Sequence, residues 1–233
     1  MSKKKHQEEK TQHQFENIEQ SLSKTEEFII ENQKVLTIIV AVIVLIVLGF
    51  FGVKKYYLQP KEKEAQEQIY MAQHYFQADS LDKALYGDGN NLGFVDIAKM
   101  YSITKAGNLA DYYAGICFLK KGNFDNAIKY LKKFDSDDEI VGPMAKGALG
   151  DAYLEKGDKE KAVKYYMEAA NLRDNEFTSP LFLLKAGEVD EMLGNYDKAI
   201  EAYKRIQQDY YKSLEARDIE KYIARAQELK KQK

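Results

Sequence analysis

The feature that constrains this chain most is a pattern of small residues that recurs in step along its second half. One set consists of Gly115, Gly150 and Gly187, and another consists of Ala127, Ala162 and Ala199. Both sets are separated by 35 and then 37 residues. A third set, Gly122, Gly157 and Gly194, keeps the same phase. Self-similarity at such a period is the signature of a solenoid built from repeated helical units.

Each set has a steric reason to be small. A glycine inside a helix costs about 1 kcal/mol relative to alanine, which is tolerated where a neighbouring helix must come close. The first set therefore predicts the first helix of a pair, and the alanines predict small contacts on the second helix. The third set is expected to end the first helix in a left-handed conformation. Aromatic residues are expected to fill the space between layers: Phe118, Tyr153, Tyr166 and Tyr203.

These residues resemble the tetratricopeptide repeat family, whose pattern has small residues at its eighth and twentieth positions and an aromatic residue at its eleventh. The resemblance covers roughly residues 65–209. It departs from the pattern at Asp190, which replaces the last aromatic residue, and at Asp79, which stands where the first turn glycine belongs. The first repeat is otherwise carried by Ala72, Tyr75 and Ala84, and an insertion follows it at 87–104.

A second constraint is an uncharged apolar run from 35 to 53. Its 19 residues would span about 28 Å as a helix, close to the thickness of the hydrocarbon core of a bilayer. Lys34 precedes the run, and Lys54, Lys55, Tyr56 and Tyr57 follow it, as snorkelling cations and interfacial aromatics do. A buried core helix would need a polar face, and a cleaved signal peptide would need a shorter run with small residues at its end. We therefore predict a retained transmembrane helix.

The resulting prediction is an all-α chain with five parts. Residues 1–34 form a tail whose first part is disordered and whose second part is a short amphipathic helix. Alternatively, this second part is an extension of the membrane helix by a few polar turns. The transmembrane helix at 35–53 is followed by a linker or helix start at 54–64. The solenoid at 65–209 has about four helix pairs, and a capping helix with a polar tail occupies 210–233. Lysines on both sides of the span leave its orientation open, because long domains are translocated largely regardless of charge.

In the family, four positions of each first helix line a concave groove that holds partner polypeptides. The predicted groove residues are Leu109, Tyr112, Ile116, Leu119, Met144, Asp151, Leu154, Leu181, Leu184, Glu188 and Glu191. The first of them are apolar and the last are acidic, which favours an apolar or amphipathic segment with basic flanks. Alternatively, the helix at 94–104 or the helix nearest the anchor covers part of this surface. The cationic clamp that some family members use for a carboxylate is missing, because Tyr112, Ile116 and Ala148 stand in those places.

Catalysis, cofactors and metals are not expected. The net charge of -2 gives no basic excess for nucleic acid. His74 is the only histidine outside the tail, and Cys117 is the only cysteine and lies in an apolar stretch typical of a buried thiol. The loop around Asp88 lacks the closing glutamate of a calcium loop. No phosphate-binding glycine loop is present, so no small-molecule substrate is predicted.

The overall plan also resembles bacterial inner-membrane tetratricopeptide proteins that are ancillary subunits of the Sec translocon, of the Bacteroidetes type. The residues that carry this likeness are Ala110-Asp-Tyr-Tyr-Ala-Gly115 and the Leu-Gly-Phe before the insertion helix. The resemblance implies a cytoplasmic N-terminus, a periplasmic repeat domain, and contacts with the translocon or periplasmic chaperones. Two alternatives remain: a structural scaffold in a cell-envelope or division complex, and an adaptor that faces the cytoplasm.

Overall fold

The computed structural model describes residues 30–232, so the predicted disordered tail and most of the amphipathic segment before the anchor lie outside the described residues. The chain divides into two compact units between Gln59 and Pro60. Every regular element from residue 30 to residue 232 is helical, and that range contains no β-strand. The predicted all-α fold class is confirmed.

The first unit contains helix α1, Gln33–Val53, followed by one π-helical turn at Lys54–Leu58. None of the side chains of α1 is buried, and its 21 residues span about 31 Å. The hydroxyl of Thr37 donates to the carbonyl oxygen of Gln33 (2.7 Å), so this polar group is satisfied within the helix. Within residues 30–232, this is the one helical stretch long and apolar enough to cross a membrane.

The second unit, called here the repeat domain, contains ten α-helices arranged as a tetratricopeptide-like solenoid. The first four are α2 (Gln59–Gln77), α3 (Leu81–Tyr86), α4 (Phe94–Met100) and α5 (Lys105–Lys120). The next four are α6 (Phe124–Leu131), α7 (Val141–Glu155), α8 (Lys159–Leu172) and α9 (Thr178–Met192). The last two are α10 (Tyr196–Asp209) and α11 (Ile219–Lys231), with a 3₁₀ turn at Glu215–Asp218 before α11.

The glycines of the first helices lie where a side chain of the second helix presses against the backbone. A Cβ built on Gly150 would lie 2.5 Å from the ring of Tyr166, and one built on Gly187 would lie 2.3 Å from the ring of Tyr203. At Gly115 the neighbour is Leu131. These three partners are large residues, each placed four residues after one of the repeated alanines and therefore one helical turn further on. The close approach predicted from the glycines is present, and bulky side chains rather than the alanines fill it.

The turns between paired helices adopt the left-handed conformation that the sequence predicts. The φ angles are 72° at Gly122, 83° at Gly157 and 72° at Gly194. In the first pair the same place is taken by Asp79, whose φ of 53° is the one positive value among the described non-glycine residues. A residue with a Cβ pays about 1–2 kcal/mol for this conformation. Strain at Asp79 is therefore the direct consequence of the missing glycine.

Replacing Asp79 with glycine should raise the free energy of unfolding by about 0.5–1 kcal/mol, because relief of the strain outweighs the loss of an exposed ion pair with Lys120. The measurement is the midpoint of urea unfolding of the detergent-solubilised chain, followed by tyrosine fluorescence. Gly157→Ala is the matched control, since no atom lies within 4 Å of the added Cβ and only the backbone conformation is tested. It should lower stability by about 1 kcal/mol. If Asp79→Gly is neutral or destabilising, the strain argument is wrong.

The insertion is organised around the carboxylate of Asp88. This group accepts hydrogen bonds from the hydroxyl of Tyr75 (2.6 Å) and from the backbone N–H groups of Asn90 and Asn91 (2.9 and 2.7 Å). The Tyr75 hydroxyl and these amides hold the pKa of Asp88 far below its usual range. The loop is thus closed by donors of the chain itself.

The helix of the insertion is shorter than predicted. It ends at Met100, and Thr104 instead starts the next helix, because its hydroxyl oxygen accepts from the backbone N–H of Gly107 (2.9 Å). The side chain of Glu62 on α2 accepts a further hydrogen bond from the N–H of Lys105 (2.6 Å). Two side chains therefore satisfy two of the free N–H donors at the start of α5.

The core of the repeat domain is rich in alanines and aromatic rings. Phe94 of α4 stacks on Tyr113 of α5 at 5.0 Å, and Tyr153 of α7 stacks on Tyr165 of α8 at 5.2 Å. Cys117 is fully buried, and burial raises the pKa of its thiol to about 12. This is the structural cysteine that the apolar surroundings predicted.

The C-terminal segment begins with a turn rather than with a helix. The Ser213 hydroxyl accepts from the N–H of Ala216 (3.2 Å), and α11 starts only at Ile219, nine residues after the start of the predicted capping segment at 210. Helix α11 buries Ile219, Ile223 and Ala226 against the last pair and keeps its charged side chains outside. That amphipathic arrangement is what closes the end of a solenoid.

Candidate partner-binding surface

The eleven residues predicted to line a groove lie on α5, α7 and α9, the first helices of three successive pairs. These helices contact one another in order, α5 with α7 and α7 with α9. Each of the eleven residues is intermediate in exposure, neither fully buried nor fully exposed. We call these residues the groove surface, defined by the eleven positions named above.

The part of the groove surface on α5 is apolar. Tyr112 and Ile116 pack on the buried cluster that α7 contributes, which contains Ala145 and Leu149. The ring of Tyr112 also contacts that of Phe134 at a centroid distance of 5.2 Å. Both side chains nevertheless stay partly accessible. An apolar segment of a partner could bury this area.

The part of the groove surface on α7 and α9 is less acidic than its sequence suggests. Asp151 accepts hydrogen bonds from the hydroxyl of Tyr166 (2.6 Å) and from Nζ of Lys185 (2.7 Å). The lysine comes from the next pair, so this contact links two repeats. A charge predicted to face a partner is therefore already paired within the chain.

Glu191 is paired in the same way. Its carboxylate accepts from Nε and Nη2 of Arg225 (2.9 and 3.0 Å) and from the hydroxyl of Tyr203 (2.7 Å). The bidentate guanidinium contact comes from α11 and leaves the side chain of Glu191 only 9% exposed. This corrects the prediction that the last part of the groove surface is acidic. Two of its three carboxylates, Asp151 and Glu191, form ion pairs with Lys185 and Arg225, and the family pattern includes neither cation.

Glu188 lies between these two networks. Partial burial raises its pKa, and the nearby Arg225 counteracts that effect. Three carboxylates thus face two cations, Lys185 and Arg225, at this end of the groove surface. The result is a polar network close to neutrality rather than an acidic patch.

One groove position is closed by the next repeat. Gly147 occupies a first-helix position that faces the groove in the family, and the ring of Phe182 from α9 lies directly over it. A Cβ at Gly147 would be 1.9 Å from Cε1 of Phe182. The ring is 2% exposed, so it fills the layer boundary instead of lining an open surface.

The chain itself covers part of the face beside the groove surface, as the surroundings of Tyr113 show. Helix α4 of the insertion places Phe94 on that ring, next to Tyr112 in sequence, and Phe94 is fully buried. The insertion therefore covers the residue beside the groove surface, while Tyr112 and Leu109 keep partial exposure.

A buried carboxylate lies outside the groove surface, on the face of α5 that meets α6. Asp111 is 7% exposed, and its Oδ1 has no hydrogen-bond partner among the residues that the structure describes. Nζ of Lys133 is 4.0 Å away, within ion-pair range but beyond hydrogen-bonding distance. Burial raises the pKa of Asp111 to about 6, and Lys133 only partly offsets this.

Candidate catalytic and metal-binding groups are dispersed. His74 is exposed on α2, and Cys117 is buried in α5. Across residues 30–232 no group of three His, Cys, Asp or Glu side chains is arranged to hold a metal ion.

Comparisons with known proteins agree with the geometry of paired helices. Family models described as tetratricopeptide repeat match residues 109–137 and 182–213 in one case and residues 145–176 in another. The chain contains tetratricopeptide repeats. The three matched segments cover the pairs α5–α6, α7–α8 and α9–α10, so these tetratricopeptide repeats form the central and C-terminal layers of the repeat domain.

Individual relatives agree with this result. A TPR repeat-containing protein of Methanocaldococcus jannaschii is 33% identical over 97 residues, which is 42% of this chain and 16% of that protein. The matched segment is therefore a small part of a much longer relative. A crystal structure of a putative kinesin light chain with nearly identical TPR-like repeats, from Podosopora anserina, aligns with a TM-score of 0.55 at 14% identity. The alignment covers 73% of this chain and 88% of that chain, and it supports the tetratricopeptide-like fold.

Proposed function

We propose that this chain is a membrane-anchored scaffold for protein–protein interaction that holds a partner polypeptide on the groove surface. Tetratricopeptide repeats themselves suggest protein or peptide partners. The observation that carries the proposal is the apolar row on α5, where Leu109, Tyr112, Ile116 and Leu119 remain partly exposed although they belong to a packed layer. The exposed apolar helix α1 supplies the anchor.

The partner suited to this surface is an apolar or amphipathic segment. Its apolar residues would bury the α5 part of the groove surface, and a single basic group would complement Glu188, the carboxylate left in excess on α9. Strongly basic flanks are no longer favoured, because Asp151 and Glu191 are already paired with Lys185 and Arg225. The repeats bind, and the proposal assigns them no catalysis.

The setting that we propose is the bacterial inner membrane, with a cytoplasmic N-terminus and the repeat domain in the periplasm. There the chain would assist the Sec translocon or the periplasmic chaperone network by holding client or partner polypeptides. The support is the likeness in plan described above: a short charged tail, an early apolar helix and a compact repeat domain. The rival proposals are a fixed scaffold of a cell-envelope or division complex and an adaptor that faces the cytoplasm.

The function is tested by photocrosslinking in cells from benzoylphenylalanine placed at Tyr112 and at Leu184. Both positions should give protein adducts, because their side chains face the proposed ligand. Lys164 and Lys204, exposed on the second helices, are matched control positions and should give few adducts. Equal adduct yields from groove and control positions would contradict the proposal.

The same experiment separates the proposed settings. Many adducts of different mass indicate client polypeptides, whereas one adduct of constant mass indicates a fixed scaffold partner. Orientation is read by labelling single cysteines introduced into the tail and into the repeat domain with a membrane-impermeant maleimide. Labelling of the tail but not of the repeat domain in intact spheroplasts would refute the periplasmic placement.

A further inference from the structure

The turns of the repeat domain carry a second periodic signal. Ile103, Ile140, Phe177 and Leu214 are each 37 residues apart and each lie in the turn that leads into the first helix of a layer. Their exposed fractions are 55%, 39%, 66% and 68%, values that are unusual for large apolar side chains. Because helices alternate in direction through the solenoid, these four turns lie on one edge of it. We call these four residues the apolar edge.

The exposed apolar residues of the repeat domain are concentrated there. Ten large apolar side chains between residues 60 and 232 are exposed. Seven of them lie in these turns or on the last helical residue before one: Met100, Ile103, Ile140, Leu172, Phe177, Tyr211 and Leu214. Single exposed apolar residues are ordinary, but a row of them in repeat register marks an interaction surface.

The opposite edge of the solenoid has a different character. Its turns are joined by ion pairs between successive layers, including Lys121 with Asp82 (2.9 Å) and Lys156 with Asp125. Asn123 and Asp158 start the following helices there. One edge is therefore polar and paired, and the other is apolar and exposed.

The turns of the apolar edge are fixed in place by bonds between neighbouring turns. The side chain of Asn108 donates to the backbone oxygen of Asp135 (2.7 Å), and Arg173 donates to Asp137 (2.8 Å). Further along, the hydroxyl of Tyr210 donates to Asp174. These contacts repeat from layer to layer, so the apolar side chains are held in a row and their ordering costs little on binding.

The charge on this edge indicates the kind of partner. The turns at 101–104, 132–140, 173–177 and 210–218 contain eight carboxylates and five cations, an acidic surplus of three, whereas the whole chain has 37 acidic and 35 basic residues. Asp138 stays ionised because the backbone N–H groups of Val141 and Ile140 lower its pKa. Such a surplus repels an anionic lipid surface and repels the same edge of a second copy. It attracts a partner that is apolar and basic.

We propose that the apolar edge docks a basic amphipathic helix of a partner protein. Layers about 10 Å apart place the four side chains along roughly 30 Å, the length of a helix of about 20 residues. The apolar face of that helix would cover Phe177 and its counterparts, and its lysines or arginines would face Glu139 and Glu176. This surface is separate from the groove surface, so the two could hold different partners.

The test uses a fluorescent peptide of about 20 residues with a leucine face and a lysine face, and a second peptide with glutamate in place of lysine. The full chain in dodecyl maltoside is compared with Phe177→Ser/Leu214→Ser in parallel, because both carry the same micelle and peptide partitioning into detergent cancels. This double variant, called the edge variant, should bind the lysine peptide at least about tenfold more weakly than the parent chain does. The control Tyr70→Ser/Tyr86→Ser, which removes exposed apolar area away from this edge, should bind within about twofold of the parent chain.

The contribution of charge is tested with Glu139→Lys/Glu176→Lys, which should weaken binding of the lysine peptide and strengthen binding of the glutamate peptide. Equal loss in the edge and control variants, or no preference between the two peptides, would overturn the proposal. So would self-association of the solubilised chain that only the edge variant loses. A dye at Phe177→Cys that shifts to the blue in nanodiscs without peptide would assign this edge to lipid and also overturn it. None of these outcomes depends on the groove surface.

Discussion

Replacing Gly147 with alanine is expected to lower the free energy of unfolding of the repeat domain by about 2 kcal/mol. The added Cβ would lie 1.9 Å from Cε1 and 2.1 Å from Cζ of Phe182, a ring that is enclosed and cannot turn away. Overpacking of this kind costs up to about 3 kcal/mol, and the better helix propensity of alanine returns about 1 kcal/mol. The measurement is urea unfolding of the detergent-solubilised chain.

The matched test of this cause is the double variant Gly147→Ala/Phe182→Leu. Leucine lacks the two ring atoms that meet the new Cβ, so the double variant should be less destabilised than the sum of the single changes. A coupling of about 1 kcal/mol or more would support direct contact between the two layers. Additive effects would show that the destabilisation has another origin.

Replacing Asp111 with asparagine is expected to stabilise the repeat domain at pH 8 by up to about 3 kcal/mol, with little effect at pH 4. The folded protein raises the pKa of this carboxyl from 3.8 to about 6, because burial disfavours its charged form. Because its pKa is raised, the contribution of Asp111 to the free energy of unfolding is complete below about pH 3.8 and is lost as the pH rises through about 6. Asparagine has no charge to bury, so it does not show this loss.

The experiment compares urea unfolding of the parent chain and of Asp111→Asn at several pH values between 4 and 8. Asp138→Asn serves as a control of opposite sign. Backbone N–H donors lower the pKa of Asp138, so the contribution of this carboxylate to the stability of the parent chain is lost as the pH falls. A stability difference for Asp111→Asn that does not change with pH would contradict the assignment of a buried charge.

The helix pairs could be predicted from the sequence because their cause is local. A glycine that meets Tyr166 or Tyr203 across a pair has its partner sixteen residues away, and the turn glycine lies between them. The spacing of these residues is therefore fixed by helix geometry alone. The same reasoning identified Asp79 as the departure in the first turn, where the structure shows a positive φ.

The contacts between pairs could not be predicted in this way. Phe182 lies over Gly147, Lys185 bonds Asp151, and Arg225 bonds Glu191, each across a layer boundary. Which side chains meet there depends on the rotation between layers, which one sequence does not specify. Transferring groove positions from the family selected residues on the first helices of three successive pairs, but it treated Asp151 and Glu191 as free charges, although the fold pairs both of them.

Asp111 and the apolar edge were missed for different reasons. Asp111 lies four residues before Gly115 and so on the same helix face, toward α6, which marks it as buried once the pairs are drawn. Ile103, Ile140, Phe177 and Leu214 have a constant spacing of 37 that the printed sequence shows. That spacing alone does not predict an exposed surface, because apolar residues in a repeat normally belong to the core, and only their accessibility shows that these four lie outside it.

The enclosed position of Cys117 has a practical consequence for work on this protein. Because burial raises the pKa of this thiol to about 12 and the side chain is fully buried, we expect it to react with neither maleimides nor peroxide on the timescale of a labelling reaction. The native sequence can therefore serve as its own cysteine-free background, with reporter cysteines added anywhere on the surface. For the same reason the repeat domain should keep the same stability on either side of a membrane, whether the surroundings are kept reduced by glutathione or oxidised by disulfide-forming enzymes.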